Sequence, residues 1–138
     1  VSGAKIYDDY AHHPTEIRAT LAGFREAFPD AHITVVFQPH LYSRTRLFMD
    51  DFAKSFDDAD TVYIVNIYAA RETDDGSIHA QDLVERIEKL GGSVRYSGSL
   101  HEIVQTLKDA EWGPNDTIIT MGAGDVYNVG EALLEKSK

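Results

Sequence analysis

The chain has 138 residues, 43% of them hydrophobic, which is the length of one domain with enough apolar material for one continuous core. Its 13 basic and 23 acidic residues give a formal charge of −10, which argues against a sequence-independent grip on nucleic acid, because that grip needs clustered Lys and Arg. With no cysteine there is no disulfide framework and no thiolate metal site, a composition suited to a reducing cytoplasm, and no apolar run nears the roughly 20 residues of a membrane span.

The chain opens Val-Ser-Gly, with neither an initiator Met nor a signal-peptide pattern, and reads as a domain cut from a longer protein. Residues 4–8 form a first short strand. The segment from Asp8 to Glu16 then packs two carboxylates, a phenol and two imidazoles into the turn that leads to a helix. That helix is predicted from Ile17, Leu21, Phe24 and Phe28, spaced by four, three and four. A second strand at 33–37 (Ile-Thr-Val-Val-Phe) is followed by another polar cluster, Gln38-Pro39-His40-Leu41-Tyr42-Ser43-Arg44-Thr45. Phe48, Phe52 and Phe56 recur every fourth residue and predict the next helix. A third strand at 61–67 runs into Asn66-Ile67-Tyr68-Ala69-Ala70-Arg71-Glu72, and residues 70–77 form the longest loop, polar and expected to be mobile. Leu83, Ile87 and Leu90 mark a further helix, stopped by Gly91-Gly92 before a weak strand at 93–96. Leu100, Ile103, Val104 and Leu107 mark another, and the strand at 117–121 ends in Gly122-Ala123-Gly124-Asp125-Val126, where Asp125 is expected to cap a helix.

Strict alternation of strand and helix predicts parallel strands joined by right-handed crossovers with helices on both faces. The fold expected is a single domain over 1–138, a three-layer Rossmann-like α/β domain with a mostly parallel sheet of five or six strands. Ligand sites of such sheets lie just beyond the carboxyl ends of the strands, where both polar clusters fall.

Within the first cluster, Pro14 suits the first helical position and Glu16 the first turn, so a helix start accounts for both. It does not account for Asp8, Asp9, Tyr10, His12 and His13 together, because turn chemistry has no use for paired imidazoles. A helix N-terminus also offers N–H groups and partial positive charge to phosphate or carboxylate oxygen. Dedicated metal ligation is the weaker reading, since adjacent His side chains diverge and zinc would need His40 or Asp9 as well. In the second cluster Arg44 offers a planar fork for a carboxylate or phosphate, at a helix start where a cation opposes the dipole and so calls for another explanation. The glycine-rich segment on the last strand is not a dinucleotide fingerprint, because Tyr127 stands where the third Gly belongs; it and the segment after the third strand are read as site rim. No Gly-Lys-Ser or Gly-Lys-Thr loop is present to cradle a triphosphate, so most of any nucleotide must be held elsewhere.

Four segments in order, Tyr7 to Glu16, Phe37 to Thr45, Ile67 to Glu72 and Met121 to Val126, resemble the C-terminal domain of the Mur ligases over essentially the whole chain. The Gln-Pro-His and Ser-Arg-Thr pieces favour the branch that adds L-alanine, and Leu41 stands where some members carry a basic residue. The resemblance implies a cytoplasmic ligase of peptidoglycan synthesis with an N-terminal domain for the UDP moiety, a central P-loop ATPase domain and this closing domain. ATP would phosphorylate the carboxylate of UDP-N-acetylmuramate, with Mg²⁺ on the phosphates held mainly by the central domain, and the L-alanine amine would attack the acyl phosphate. Asp9 and Tyr10 would contact ATP. Tyr10, His12, His13 and Arg44 would bind substrate, and His12, His40 and Arg44 would take part in the chemistry, Arg44 by stabilising negative charge. No metal ligand is assigned to this chain, no nucleic acid or membrane partner is expected, and the fragment alone would be inactive. Competing readings are the related domain of a murein-peptide recycling ligase, a metal hydrolase using Asp9, His12, His13 and His40, and a phospho-receiver domain. The last would need an Asp after the third strand and a Lys after the fifth, where Asn66 and Gly122 stand.

Overall fold

The computed structural model describes residues 3–135, so the outermost residues of the expected 1–138 domain, including Val1 and Ser2, lie outside it. Five strands, β1 (Lys5–Asp9), β2 (His32–Phe37), β3 (Thr61–Val65), β4 (Val94–Gly98) and β5 (Asp116–Met121), form one sheet in the order β1-β5-β2-β3-β4, and every pairing is parallel. The helices are α1 (Pro14–Ala27), α2 (Tyr42–Leu47), α3 (Met49–Ala53), α4 (Ala80–Lys89), α5 (Leu100–Asp109) and α6 (Tyr127–Leu134). No described helix is long and apolar enough to cross a membrane.

The central strands are apolar on both sides because both sides are covered. Along β2, Ile33, Val35 and Phe37 enter one core cluster and Val36 the other, as the two-residue period of a strand requires. The first cluster takes Ile17 and Leu21 of α1, Phe52 of α3 and Leu83, Val84 and Ile87 of α4. The second takes Ile103, Val104 and Leu107 of α5 with Val129 and Leu133 of α6. The three expected layers are present.

Two boundaries differ from the sequence expectation. The helix anticipated through Phe48, Phe52 and Phe56 is broken at Phe48, whose backbone (φ −109°, ψ 23°) is not helical, and Phe56 lies beyond α3. Its ring nonetheless packs on Phe37 at 5.3 Å, so burial explains the four-residue spacing without a continuous helix. The third strand ends at Val65, short of the expected 67, after a shift of register against β4 between Ile64 and Val65, although the Asn66 N–H still donates to the Gly98 carbonyl.

This topology opens a crevice. The chain leaves β1 toward α1 and β2 toward α2 and α3 on one face, but leaves the intervening β5 toward α6 on the other. Connections that part to opposite faces separate above the sheet, which is where α/β domains bind ligands.

Candidate active site

Register sets the level of the site. Asp9 pairs with Met121 and Met121 with Phe37, so β1, β5 and β2 end in one row, and the residues that follow share one edge.

Beyond β1, Asp9 Oδ1 accepts from the Ala11 N–H at 2.8 Å and from Thr20 Oγ1 at 3.4 Å, which folds the chain over the strand end. Ala11 is buried by this turn and Tyr10 is pushed outward, 68% exposed. The neighbouring Asp8 accepts from Thr120 Oγ1 at 2.6 Å and is tied to β5. The helix start predicted at Pro14 and Glu16 is present: the Glu16 carboxylate accepts from the N–H groups of His12 (3.3 Å) and His13 (3.0 Å), and His13 Nδ1 accepts from the Thr15 N–H (3.2 Å). These bonds, that from His12 first, hold the Glu16 carboxyl below its ordinary pKa against the opposing effect of burial. They also occupy much of the helix N-terminus that was expected to offer free N–H groups. His13 is the N-cap and packs on Phe48 at 5.2 Å, a structural role that the sequence reading did not assign to it.

Beyond β2, the pairing with β3 resumes for one bridge past the sheet edge. The Tyr68 N–H donates to the Pro39 carbonyl and the Leu41 N–H to the Tyr68 carbonyl, both at 2.8 Å, so that His40 and Tyr68 stand side by side. Their rings stack at 5.6 Å with 17° between planes. Leu41 then takes φ 69°, a left-handed conformation that L side chains rarely adopt, and its carbonyl accepts from Thr45 N and Oγ1 to start α2. That turn carries Arg44 back over His40, with Nη1 3.4 Å from His40 Nδ1.

The two loops meet. Tyr10 lies edge-on to His12 at 5.1 Å, and His12 lies edge-on to His40 at 6.0 Å, so Tyr10, His12, His40, Arg44 and Tyr68 form one continuous rim. Hydrogen-bond partners assign the proton positions. The Tyr10 carbonyl, 2.9 Å from His12 Nδ1, can only accept, so neutral His12 carries its proton there and keeps a lone pair at Nε2. Arg44 can only donate, so neutral His40 offers a lone pair at Nδ1 and a donor at Nε2. Burial first, then the Arg44 guanidinium and His12, push the His40 pKa below the usual imidazole range, with Glu72 acting weakly in the other direction. With both rings neutral, the rim offers an imidazole donor, an imidazole acceptor and a guanidinium.

The loop over 70–77, expected to be mobile, is tied to α2: Glu72 accepts from Ser43 Oγ and from its N–H, and Arg46 donates to Ser77 Oγ at 2.5 Å. Asp125 does not cap α6 through its side chain; the N-cap is Val126, and the Asp125 carboxylate instead accepts from Gln38 Nε2 at 2.7 Å. Tyr68 and Gln38 belong to the site more closely than the sequence reading supposed. The available signal for Gln38 was an amide directly after five apolar or β-branched residues, where burial obliges it to find a partner. Among the described residues no group of three or more His, Asp and Glu could hold a metal ion. The strand order also departs from the 2-1-3-4-5 order of receiver domains, and Asn66 accepts from the Tyr96 hydroxyl at 2.5 Å.

The chain is similar to known proteins in sequence and in fold. The family model described as Mur ligase, glutamate ligase domain, matches residues 1–124. The UDP-N-acetylmuramate–L-alanine ligase of Caldanaerobacter subterraneus subsp. tengcongensis is 48% identical over 139 aligned positions, covering 100% of this chain and 30% of that protein. The crystal structure of UDP-N-acetylmuramate–alanine ligase from Thermotoga maritima superposes with a TM-score of 0.72 at 28% identity, over 94% of this chain and 26% of that one. A crystallised domain from a putative UDP-N-acetylmuramate:L-alanyl-γ-D-glutamyl-meso-diaminopimelate ligase of Haemophilus ducreyi superposes with a TM-score of 0.67 at 27% identity, over 97% of this chain and 94% of that one. The chain thus spans about a third of the length of the full ligase it matches in sequence.

Proposed function

The chain belongs to the Mur ligase family, and on that premise we propose that it is the C-terminal, cleft-closing domain of an ATP-dependent ligase joining L-alanine to the carboxylate of UDP-N-acetylmuramate in cytoplasmic peptidoglycan synthesis. The observation that carries this reading is the convergence of Tyr10, His12, His40 and Arg44 on one rim above a topological switch point.

In this reading the muramate carboxylate attacks the γ-phosphorus of ATP, ADP leaves, and an acyl phosphate remains. The alanine amine then attacks the carbonyl carbon and inorganic phosphate leaves with its bonding electron pair. An acyl phosphate hydrolyses if water reaches it, so a domain that closes over the site has a chemical purpose. Arg44 and the Nε2 donor of His40 stabilise charge that develops on carboxylate and phosphoryl oxygen. The Nε2 lone pair of His12 accepts a proton from the alanine ammonium, freeing the amine lone pair that attacks. Asp9, half-buried at the strand end with Oδ1 bonded to the Ala11 N–H and Thr20 Oγ1, offers its second carboxylate oxygen to ribose hydroxyls, and Tyr10, the next residue, presents an exposed ring to the nucleotide. His13 contributes to substrate binding in addition to its cap. Mg²⁺, when bound, neutralises phosphate charge. The residues described here do not fit it as ligands, so its ligands are assigned to the central domain and no step on this chain runs through it.

The test is ADP release by the full-length ligase with UDP-N-acetylmuramate and either L-alanine or a murein tripeptide as acceptor. Alanine-dependent release is expected. Release only with the tripeptide would assign the chain to the recycling ligases instead.

A further inference from the structure

Behind the rim lies a contact that the mechanism above does not use. Gln38 is 4% exposed, and its bond to Asp125 joins residues 87 apart, linking the loop after β2 to the loop after β5. The carboxylate fixes the amide's orientation, because a flipped amide would set oxygen against oxygen. Among the described residues Gln38 Oε1 is left buried without a protein donor. Gly124 passes over both groups so closely that a Cβ there would lie 2.6 Å from Tyr68 Cγ and 2.7 Å from Gln38 Oε1. Gly122, at φ +152°, runs close to the Gln38 backbone, where a Cβ would meet its carbonyl oxygen at 3.0 Å. Each distinctive residue of Gly122-Ala123-Gly124-Asp125 thus has one contact that requires it, and helix capping explains none of them.

We infer that Gln38, Gly124 and Asp125 form a positioning clasp, in which the loop after β5 holds the Tyr68 ring and Tyr68 in turn holds the plane of His40 between His12 and Arg44. None of the three touches reacting atoms. They act through Tyr68, whose ring stacks on His40: remove the support and the imidazole loses its fixed plane while its sequence neighbours stay in place. The kinetic consequence rests on the ligase reading, whereas the structural consequence does not.

The experiment follows the His40 ring by NMR titration in this chain, in the wild type and in Asp125→Ala, Asp125→Asn and Gly124→Ala variants. The charged and titratable groups facing His40, namely Arg44, His12 and Glu72, together with Tyr68, are unchanged in all of them. Asp125→Ala and Gly124→Ala are expected to shift the His40 ring resonances and to raise its midpoint by about 0.3 pH unit or more as the ring loosens into solvent, with His32 and His101 unmoved. Asp125→Asn keeps an oxygen that accepts from Gln38 and is expected to restore the wild-type behaviour. In the full-length ligase, Asp125→Ala should lower kcat about tenfold or more with KM for ATP changed by less than about twofold, because misplacement by a fraction of an ångström acts on the chemical step. A native backbone spectrum with an unmoved His40 in Asp125→Ala would overturn the clasp. If the variants do not fold, the wild type still decides: contacts from Gly124 Hα to the Tyr68 ring and a slowly exchanging Gln38 side-chain amide support it, and their absence overturns it. A His40 response in a protein without ligase activity would keep the clasp and remove the ligase reading.

Discussion

Asp60 shows how one carboxylate joins two elements. Its Oδ2 accepts from the Ile33 N–H at 2.7 Å and from Arg25 Nη2 at 2.8 Å, while the same guanidinium donates to the carbonyls of Ala31 (2.7 Å) and Asp58 (2.9 Å). Burial alone would raise the Asp60 pKa, but the Ile33 and Arg25 bonds outweigh it and the net displacement is downward. A depressed carboxylate contributes stability above its unfolded pKa of about 3.9 and loses it as pH falls through the lower folded value. With a side chain 40% exposed, solvent screening limits the contribution, and Asp60→Ala is expected to cost about 1 kcal/mol at neutral pH. Urea melts at pH 7 and pH 2.5 check this: the variant's deficit should shrink at the lower pH, and an equal deficit would remove the ionic contribution. His40 titrates in the opposite sense of charge. Its lowered pKa keeps the ring neutral until the medium is more acidic than an ordinary imidazole requires, so the acid limb of kcat/KM for the full-length ligase should fall below about pH 6.5. An acid limb at or above that value would mean that another group controls it. At this scale Arg44 was singled out in the sequence as a cation opposing the dipole at a helix start; α2 is only six residues long and Arg44 falls in its last turn, so what sets it apart is its place beside His40. Asp125 was misread because its nearest helix offered an easier explanation than a partner 87 residues away.

Among the elements, α1 separates a structural role from a functional one at His13. The ring nitrogen caps the helix and Glu16 completes the capping box, so His13→Ala should lower stability by about 1 kcal/mol, while His13→Asn, which retains a cap acceptor, should lose only a few tenths. Thermal melts of the two variants measure this directly. If His13→Asn keeps both stability and full ligase activity, substrate binding by His13 is withdrawn and the cap is its whole function. The strands were readable because β2, β3 and β5 are buried on both faces and so carry near-continuous apolar runs. The break between α2 and α3 was not readable, because Phe48, Phe52 and Phe56 keep helical spacing even though Phe48 is not helical. Their spacing reports burial against β2, which a helix and a series of turns satisfy equally. The single bridge between His40 and Tyr68 was invisible for a similar reason: it depends on register between strands rather than on local pattern.

At the scale of the whole molecule, the loops after β1, β2 and β5 share one edge of the sheet. Strand order places β5 between β1 and β2, so segments 122–125, 9–13 and 38–44 converge although they are far apart in sequence. Convergence at one edge followed from strand–helix alternation and could be read from the chain; the order of the strands could not, because no local signal says which strand inserts between which. The rim is open, with Tyr10 68% exposed, and the chain alone is expected to bind ATP only very weakly, since most of the nucleotide would be held elsewhere. Calorimetric titration of the chain with ATP should show no saturable heat at concentrations where the full-length ligase saturates. A tight complex with the chain alone would contradict the division of the site between domains. The central claim, that the loops carrying His12, His40 and Arg44 form the chemical face of that divided site, is tested most directly by steady-state ligation with Arg44→Ala in the full-length enzyme. Loss of one charge-stabilising donor predicts a fall in kcat of about 10²-fold or more. Unchanged turnover at limiting L-alanine would contradict it.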